Sequence, residues 1–231
     1  MDWKKFLAIP LAALLLFSTA CSEQSPTGDV IPKGPTQEEE EQSNASAALE
    51  EGGMKQIGDP VSYSFIGVVQ MEATVQKVQV FDHYTDEGIT EADCSFGVKD
   101  TPFILLDVTI KKVSGPEREG EDDWDTLGEF HLTNQEGLQL EAQGKNEVLI
   151  SPEMCYFSDH RPVEKEEDEK GYNKYWLDPG EEKTYQLGWC LHDGSEKSIR
   201  EPNVVLLMET EGLVLAVGAD VTQEQYVDLG T

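Results

Sequence analysis

Basic residues are scarce in this chain: 17 Lys and Arg stand against 46 Asp and Glu, for a formal net charge of −29. A surface of that sign repels phosphate backbones and anionic lipid headgroups, which argues against nucleic acid as a partner. Long apolar runs are scarce as well. The run at residues 6–17 is interrupted only by Pro10 and falls short of the roughly 20 residues a permanent membrane-spanning helix needs. Histidine is sparse, and His83, His131, His160 and His192 are scattered without a ligand spacing such as His-x-x-x-His. The chain has no Gly-x-Ser-x-Gly elbow and no Ser-x-x-Lys pair. Gly144-Lys145 does not end a phosphate-cradling loop, because Gln139 stands where its first glycine belongs. Ser158, Asp159 and His160 are neighbours in sequence, but a working triad is assembled in space and adjacency supplies no geometry. No catalytic residue and no cofactor are expected.

The acidic segments fail as metal loops. Counting from Asp123, a calcium loop would need an oxygen ligand where Leu127 stands and a bidentate Glu where Asn134 stands. The run at 164–169 is the kind of charge block that forms a solvated loop. No metal site is expected in either.

What is present begins with an address. Lys4 and Lys5 precede the apolar run, and Ser18, Thr19 and Ala20 lead into Cys21, followed by polar chain. A basic start, a short apolar core and small residues before the cut describe a secretory signal. Small residues ending at a cysteine resemble a bacterial lipoprotein signal. That resemblance implies removal of residues 1–20, a lipid on Cys21, and a place on the extracytoplasmic face of the cell membrane. Two acyl chains anchor stably, since each buried methylene contributes about 0.8 kcal/mol.

Residues 21–58 are rich in Ser, Pro, Gly, Gln and Glu and show no apolar period, which predicts a disordered acidic tether. A flexible chain of this length spans roughly 30–35 Å on average. Residues 45–51 have helical composition, but an isolated helix this short is marginal in water.

Residues 59–231 carry the folded domain, and their apolar pattern has period two. Leu106, Val108 and Ile110 alternate with Asp107, Thr109 and Lys111; Tyr185, Leu187, Trp189 and Leu191 alternate with Gln186, Gly188 and Cys190. Residues 71–84 begin irregularly around Gln76 and Lys77 and then alternate, while 61–69, 129–133 and 147–150 are weaker strands. Glu211-Gly212, between apolar runs at 204–208 and 213–217, predicts a hairpin. Strands of this length without a long 3.6-residue period predict an antiparallel β-sandwich, one face of each sheet packed and the other wet.

Three local patterns carry a resemblance: the strand at 103–112 (FILLDVTIKK), Leu177-Asp178-Pro179-Gly180-Glu181 with the strand after it, and Gly58-Asp59-Pro60-Val61 at the start. Together they resemble the immunoglobulin-like domains of Gram-positive secreted and lipid-anchored proteins. The resemblance covers residues 59–219 and implies an all-β, immunoglobulin-like fold. Members are mostly of unknown function, so it carries no catalytic residues.

Beyond Cys21 stand Cys94, Cys155 and Cys190. Export to an oxidising compartment lets disulfides persist, and three cysteines permit one bridge with one thiol left over. Cys155 and Cys190 both sit in or beside strand-like segments and are the favoured pair, though the choice among the three stays open. Trp124, Tyr156, Phe157, Tyr172, Tyr175 and Trp176 surround the acidic loops and are candidates for an aromatic recognition edge. The expected role is a non-catalytic surface module that binds an envelope or extracellular protein through its loops. The alternative is an accessory lipoprotein that binds a small molecule or cation.

Overall fold

Ile104, Leu106, Val108 and Ile110 point to one face of a strand and Asp107, Thr109 and Lys111 to the other, and burial follows that alternation residue by residue. The computed structural model describes residues 37–65, 68–91, 93–94, 100–117, 125–126, 130–144, 148–159, 174–192, 204–218 and 224–231. Within them the chain is an all-β sandwich of mostly antiparallel strands. Its elements in chain order are α1 (Gln37–Ala48), β1 (Pro60–Phe65), β2 (Val69–Phe81), a 3-10 turn (Tyr84–Glu87), β3 (Phe103–Ser114), β4 (Asp125–Thr126) and β5 (Phe130–Asn134). There follow α2 (Gln135–Ala142), β6 (Val148–Ile150), β7 (Met154–Phe157), β8 (Lys174–Tyr175), β9 (Glu182–Cys190), β10 (Val204–Leu206), β11 (Leu213–Val217) and β12 (Gln225–Asp228).

One sheet runs β1-β2-β3-β9-β7 and the other β12-β11-β5, with two small pairs, β10-β6 and β4-β8. The core between the two sheets contains Val61, Met71, Val75, Ile104, Leu106, Tyr185, Leu187 and Trp189 from the larger sheet, and Phe130, Leu132, Leu213 and Leu215 from the smaller. The irregularity around Gln76 is a β-bulge: Val75 pairs with Val108 and Lys77 with Asp107, leaving Gln76 as the extra residue.

The register of β3 against β9 is set by a turn. Pro179 and Gly180 occupy the middle of a reverse turn closed by the Glu181 N–H donating to the Asp178 carbonyl at 2.9 Å. Gly180 has φ +89°, the left-handed value that a type II turn requires at its third residue. The turn docks on β3, where the Gly180 N–H donates to the Lys112 carbonyl at 2.7 Å and the Lys112 N–H to the Glu181 carbonyl at 3.0 Å. Lys112 lies on the packed face and is fully buried, with its ammonium 3.9 Å from the centre of the Trp176 ring. The Trp176 indole N–H in turn donates to Asp178 Oδ1 at 3.0 Å.

Two expectations are corrected. The hairpin across Glu211-Gly212 does not form: β11 takes β5 and β12 as neighbours, and β10 pairs in parallel with β6. The reason is that all five residues of β11 are buried, so it belongs in the middle of its sheet, covered on both faces. The second correction concerns the tether, expected to reach residue 58. Residues 37–58 belong to the domain. Ala45 and Ala48 of α1 pack with Leu138 of α2 and with Val214, Ala216 and Tyr226 on the back of the smaller sheet. Lys55 then pairs with Val227 at the sheet edge. Tertiary packing stabilises a helix that its own propensity leaves marginal.

Replacing Ala45 with Asp places an unpaired charge in that packed layer. The expected cost is about 2–4 kcal/mol in denaturant unfolding; an unchanged midpoint would return residues 37–58 to the role of a loose leader.

Candidate functional site

Phe103 and Leu105 face away from the main core, yet both are buried. They are covered by described residues of the segment between β2 and β3, which pack on the outer face of the larger sheet. Tyr84, Ile89 and Cys94 come from this cover, and they pack with Phe103, Leu105, Cys155 and Cys190 into a second apolar cluster. The sequence reading missed this cover because its residues show no period of their own.

Each thiol reaches the cluster for an identifiable local reason. Cys190 ends β9 on the outer side, as the alternation through Trp189 and Leu191 requires, and its backbone pairs with Phe103. Cys155 sits at a bulge in β7, where Met154 pairs with Trp189 but Tyr156 already pairs with Gly188. The bulge breaks the alternation, so consecutive Cys155 and Tyr156 both join the outer cluster while Met154 and Phe157 pack on the main core. Cys94 is held by a turn: the Asp93 and Cys94 N–H groups donate to the Thr90 carbonyl at 3.0 and 3.1 Å, and Asp93 Oδ2 accepts from the Thr90 N–H and hydroxyl. An isolated antiparallel bridge to Tyr156 then fixes Cys94 on the sheet edge.

The three Sγ atoms lie within 4.8 Å of one another, and all three residues are buried free thiols. Cys155 Sγ is 3.5 Å from Cys190 Sγ, and its thiol donates to the Gly188 carbonyl at 3.5 Å. Gly188 is required here. A Cβ on it would lie 2.4 Å from Phe103 Cζ and 3.0 Å from Tyr156 Cβ, in the space where these rings cross the sheet. Phe103 meets Tyr84 and Tyr156 edge-on, with ring centres 6.3 and 6.5 Å apart, and this closes the apolar side of the cluster.

Burial in such surroundings disfavours thiolate. The Cys155 contact lowers the Cys94 thiol, but the Cys190 contact, burial and the negative charge of Asp93 outweigh it, and Cys94 is pushed up to about 12 from 9.0. The Cys190 and Cys94 contacts, with burial, drive Cys155 far above the ordinary thiol range. Burial, then Asp93 and Glu87, raise the Tyr156 phenol.

Cys155 and Cys190, expected as a disulfide, stand instead as free thiols with sulfurs 3.5 Å apart, and Cys94 is an unexpected third neighbour. The aromatic edge is corrected. Phe157 and Tyr175 are core residues packed on Tyr185, with ring centres 5.2 and 5.4 Å away, and neither is presented to solvent. Tyr156 is half-buried against the thiol cluster and Trp176 half-buried over Lys112. Trp124, Tyr172 and Cys21 lie outside the described residues. The Ser158 hydroxyl accepts from the Gln186 N–H at 2.9 Å, and His160 lies outside the described residues. The neighbouring Asp159 pairs with Lys183 at 2.7 Å.

Cys94 holds its proton to higher pH in the folded chain than in the unfolded one. Its contribution to stability is complete below pH 9.0 and is lost as pH rises toward about 12. Denaturant unfolding across that window should fall more steeply for the wild type than for Cys94→Ala, and parallel curves would remove Cys94 as the cause. No family model, no curated protein and no solved structure matches this chain, and the chemistry of the thiol cluster is read from its own geometry.

Proposed function

We propose that this chain is an exported lipoprotein, held on the extracytoplasmic face of the cell membrane by lipid on Cys21, whose sandwich is a non-catalytic binding module for a soft cation. Anchoring is supported by the basic start, short apolar core and small residues before Cys21. The observation that carries the ligand is the convergence of Cys94, Cys155 and Cys190 in one buried apolar cluster. Thiolate sulfur is a soft donor and selects soft ions over calcium or magnesium. The acidic exterior raises the local concentration of cations.

A second reading, a protein or envelope component as partner, is favoured by the wet face of the larger sheet. Glu72, Lys111 and Glu182 form one cross-strand row there, and Thr74, Thr109 and Thr184 the next. The hydroxyls of Thr109 and Thr184 are 2.8 Å apart, and these side chains line an open polar groove.

Chain purified from the membranes of producing cells should carry diacylglyceryl mass on its first residue, and Cys21→Ser should release it to the soluble fraction. An unmodified Cys21 at the mature N-terminus would remove the anchor. Under reducing conditions, equimolar soft ions such as Zn²⁺ or Cu⁺ should raise the melting temperature by several degrees, in line with mass action at an excess over Kd. Millimolar Ca²⁺ should leave it unchanged. A response to Ca²⁺ alone would move the ligand away from the thiols, and a partner lost on Lys111→Glu with no response to soft ions would favour the second reading.

A further inference from the structure

Bonds of about 2.3 Å from one central atom hold neighbouring sulfurs about 3.5 Å apart at angles near 100°, and about 4.0 Å apart when the angles open to 120°. Cys155 and Cys190 are already 3.5 Å apart, and Cys94 lies within 4.8 Å of both. Among the described residues no His, Asp or Glu completes this group. A closed zinc site takes four ligands, so the cluster is one donor short of it. Tyr84, Ile89, Phe103 and Leu105 share the buried cluster with the thiols, and such apolar neighbours solvate a water in a fourth position poorly.

Charge then decides among soft ions. Three thiolates bring three negative charges into an apolar pocket. A monovalent centre leaves two of them uncompensated, a divalent centre leaves one, and a trivalent centre leaves none. Uncompensated negative charge is especially unfavourable here, because Asp93 adjoins Cys94 and the chain as a whole is acidic.

We propose that Cys94, Cys155 and Cys190 form a three-sulfur site for a trivalent thiophilic metalloid, of which arsenic(III) is the representative. This rests on the soft-cation reading above and names the ion. Uptake balances without electron transfer. The neutral trihydroxide meets three thiols; three arsenic–sulfur bonds form, three arsenic–oxygen bonds break, and each thiol proton leaves on a hydroxide as water. Arsenic stays trivalent, three waters depart and the complex is neutral. The lone pair of the central atom occupies the fourth direction, so the three protein sulfurs suffice. Because Cys94 belongs to the cover and the other two sulfurs to the sheet, the bound ion also fastens the cover down.

The test uses reduced chain carrying Cys21→Ser, which leaves these three thiols as its only ones. With arsenite, intact mass under non-denaturing conditions should gain one arsenic less three hydrogens, and ultraviolet absorption from sulfur–arsenic bonds should appear at one equivalent. Amide exchange in residues 84–94 should slow. Cys94→Ser and Cys94→Ala each leave two sulfurs and should weaken binding by at least roughly tenfold, since the third bond is intramolecular. Because the mass, absorption and exchange are read on chain that retains all three thiols, misfolding of either variant leaves the test intact. Binding of one Zn²⁺ or Cu⁺ with no arsenite adduct overturns the metalloid and keeps the soft-cation reading. Binding of none of the three overturns both.

Discussion

The pairing of β3 with β9 is the constraint on which the rest of the structure depends. Phe103 faces Cys190 and Lys111 faces Glu182, with the intervening residues in unbroken register. A strand has two faces, and a slip of one residue exchanges them completely. In the observed register Leu187 and Trp189 meet the main core with Leu106 and Ile104, while Gly188 and Cys190 turn outward beside Leu105 and Phe103. A slip would turn Cys190 into the main core and drive the bulky Trp189 into the outer cluster beside Phe103. The docked turn at Asp178–Glu181 opposes this, because its glycine conformation and its two backbone hydrogen bonds to Lys112 fit a single register. Buried Lys112 beneath Trp176 adds a charge that has one satisfactory position.

The outer face of this sheet is divided in two along its length. Toward the β3 C-terminus it stays wet, with threonine and Glu–Lys–Glu rows crossing the strands. Toward the β3 N-terminus it turns apolar at Leu105 and Phe103, and Tyr84, Ile89 and Cys94 close over it. The thiols gather in the second half for steric reasons. Gly188 leaves room for the Phe103 ring, and the β7 bulge turns Cys155 to the side where Cys190 already points. Apolar rings on one side and neighbouring sulfurs on the other make this a poor environment for charge, which is why Cys94 and Cys155 resist ionisation and why the charge of a bound ion matters so much.

The smaller sheet is treated differently. Its outer face is covered by α1 and α2, so β11 is buried on both sides. Asn134 ends β5 and caps α2 in the same step, its side chain accepting from the Gly137 N–H at 2.8 Å. Strand and helix are thereby joined without a loop. The sandwich thus carries one cover of helices and one of irregular chain, and the irregular cover contributes the thiol of Cys94.

The residues alone determined the strand faces. Alternation in β3 and β9 placed Leu106, Val108, Ile110, Tyr185, Leu187, Trp189 and Leu191 inward correctly, and even the break at Gln76 was visible, because period two leaves little freedom once one face is apolar; the inward, buried Lys112 was not legible. A turn at Pro179-Gly180 was legible as well, since proline fixes its own φ and glycine enters the left-handed region freely; its type II form came from the structure. Tertiary structure alone decided which strands became neighbours, that a marginal helix at 37–48 would dock, and that Phe157 and Tyr175 would be core and not edge. It alone also brought Cys94 to Cys155 and Cys190, across 61 and 96 positions of chain. The physical reason is range: backbone preference and side-chain alternation act over a few residues, whereas the meeting of distant thiols depends on a bulge, a bare glycine and a covering segment that exist only once the sheet has formed.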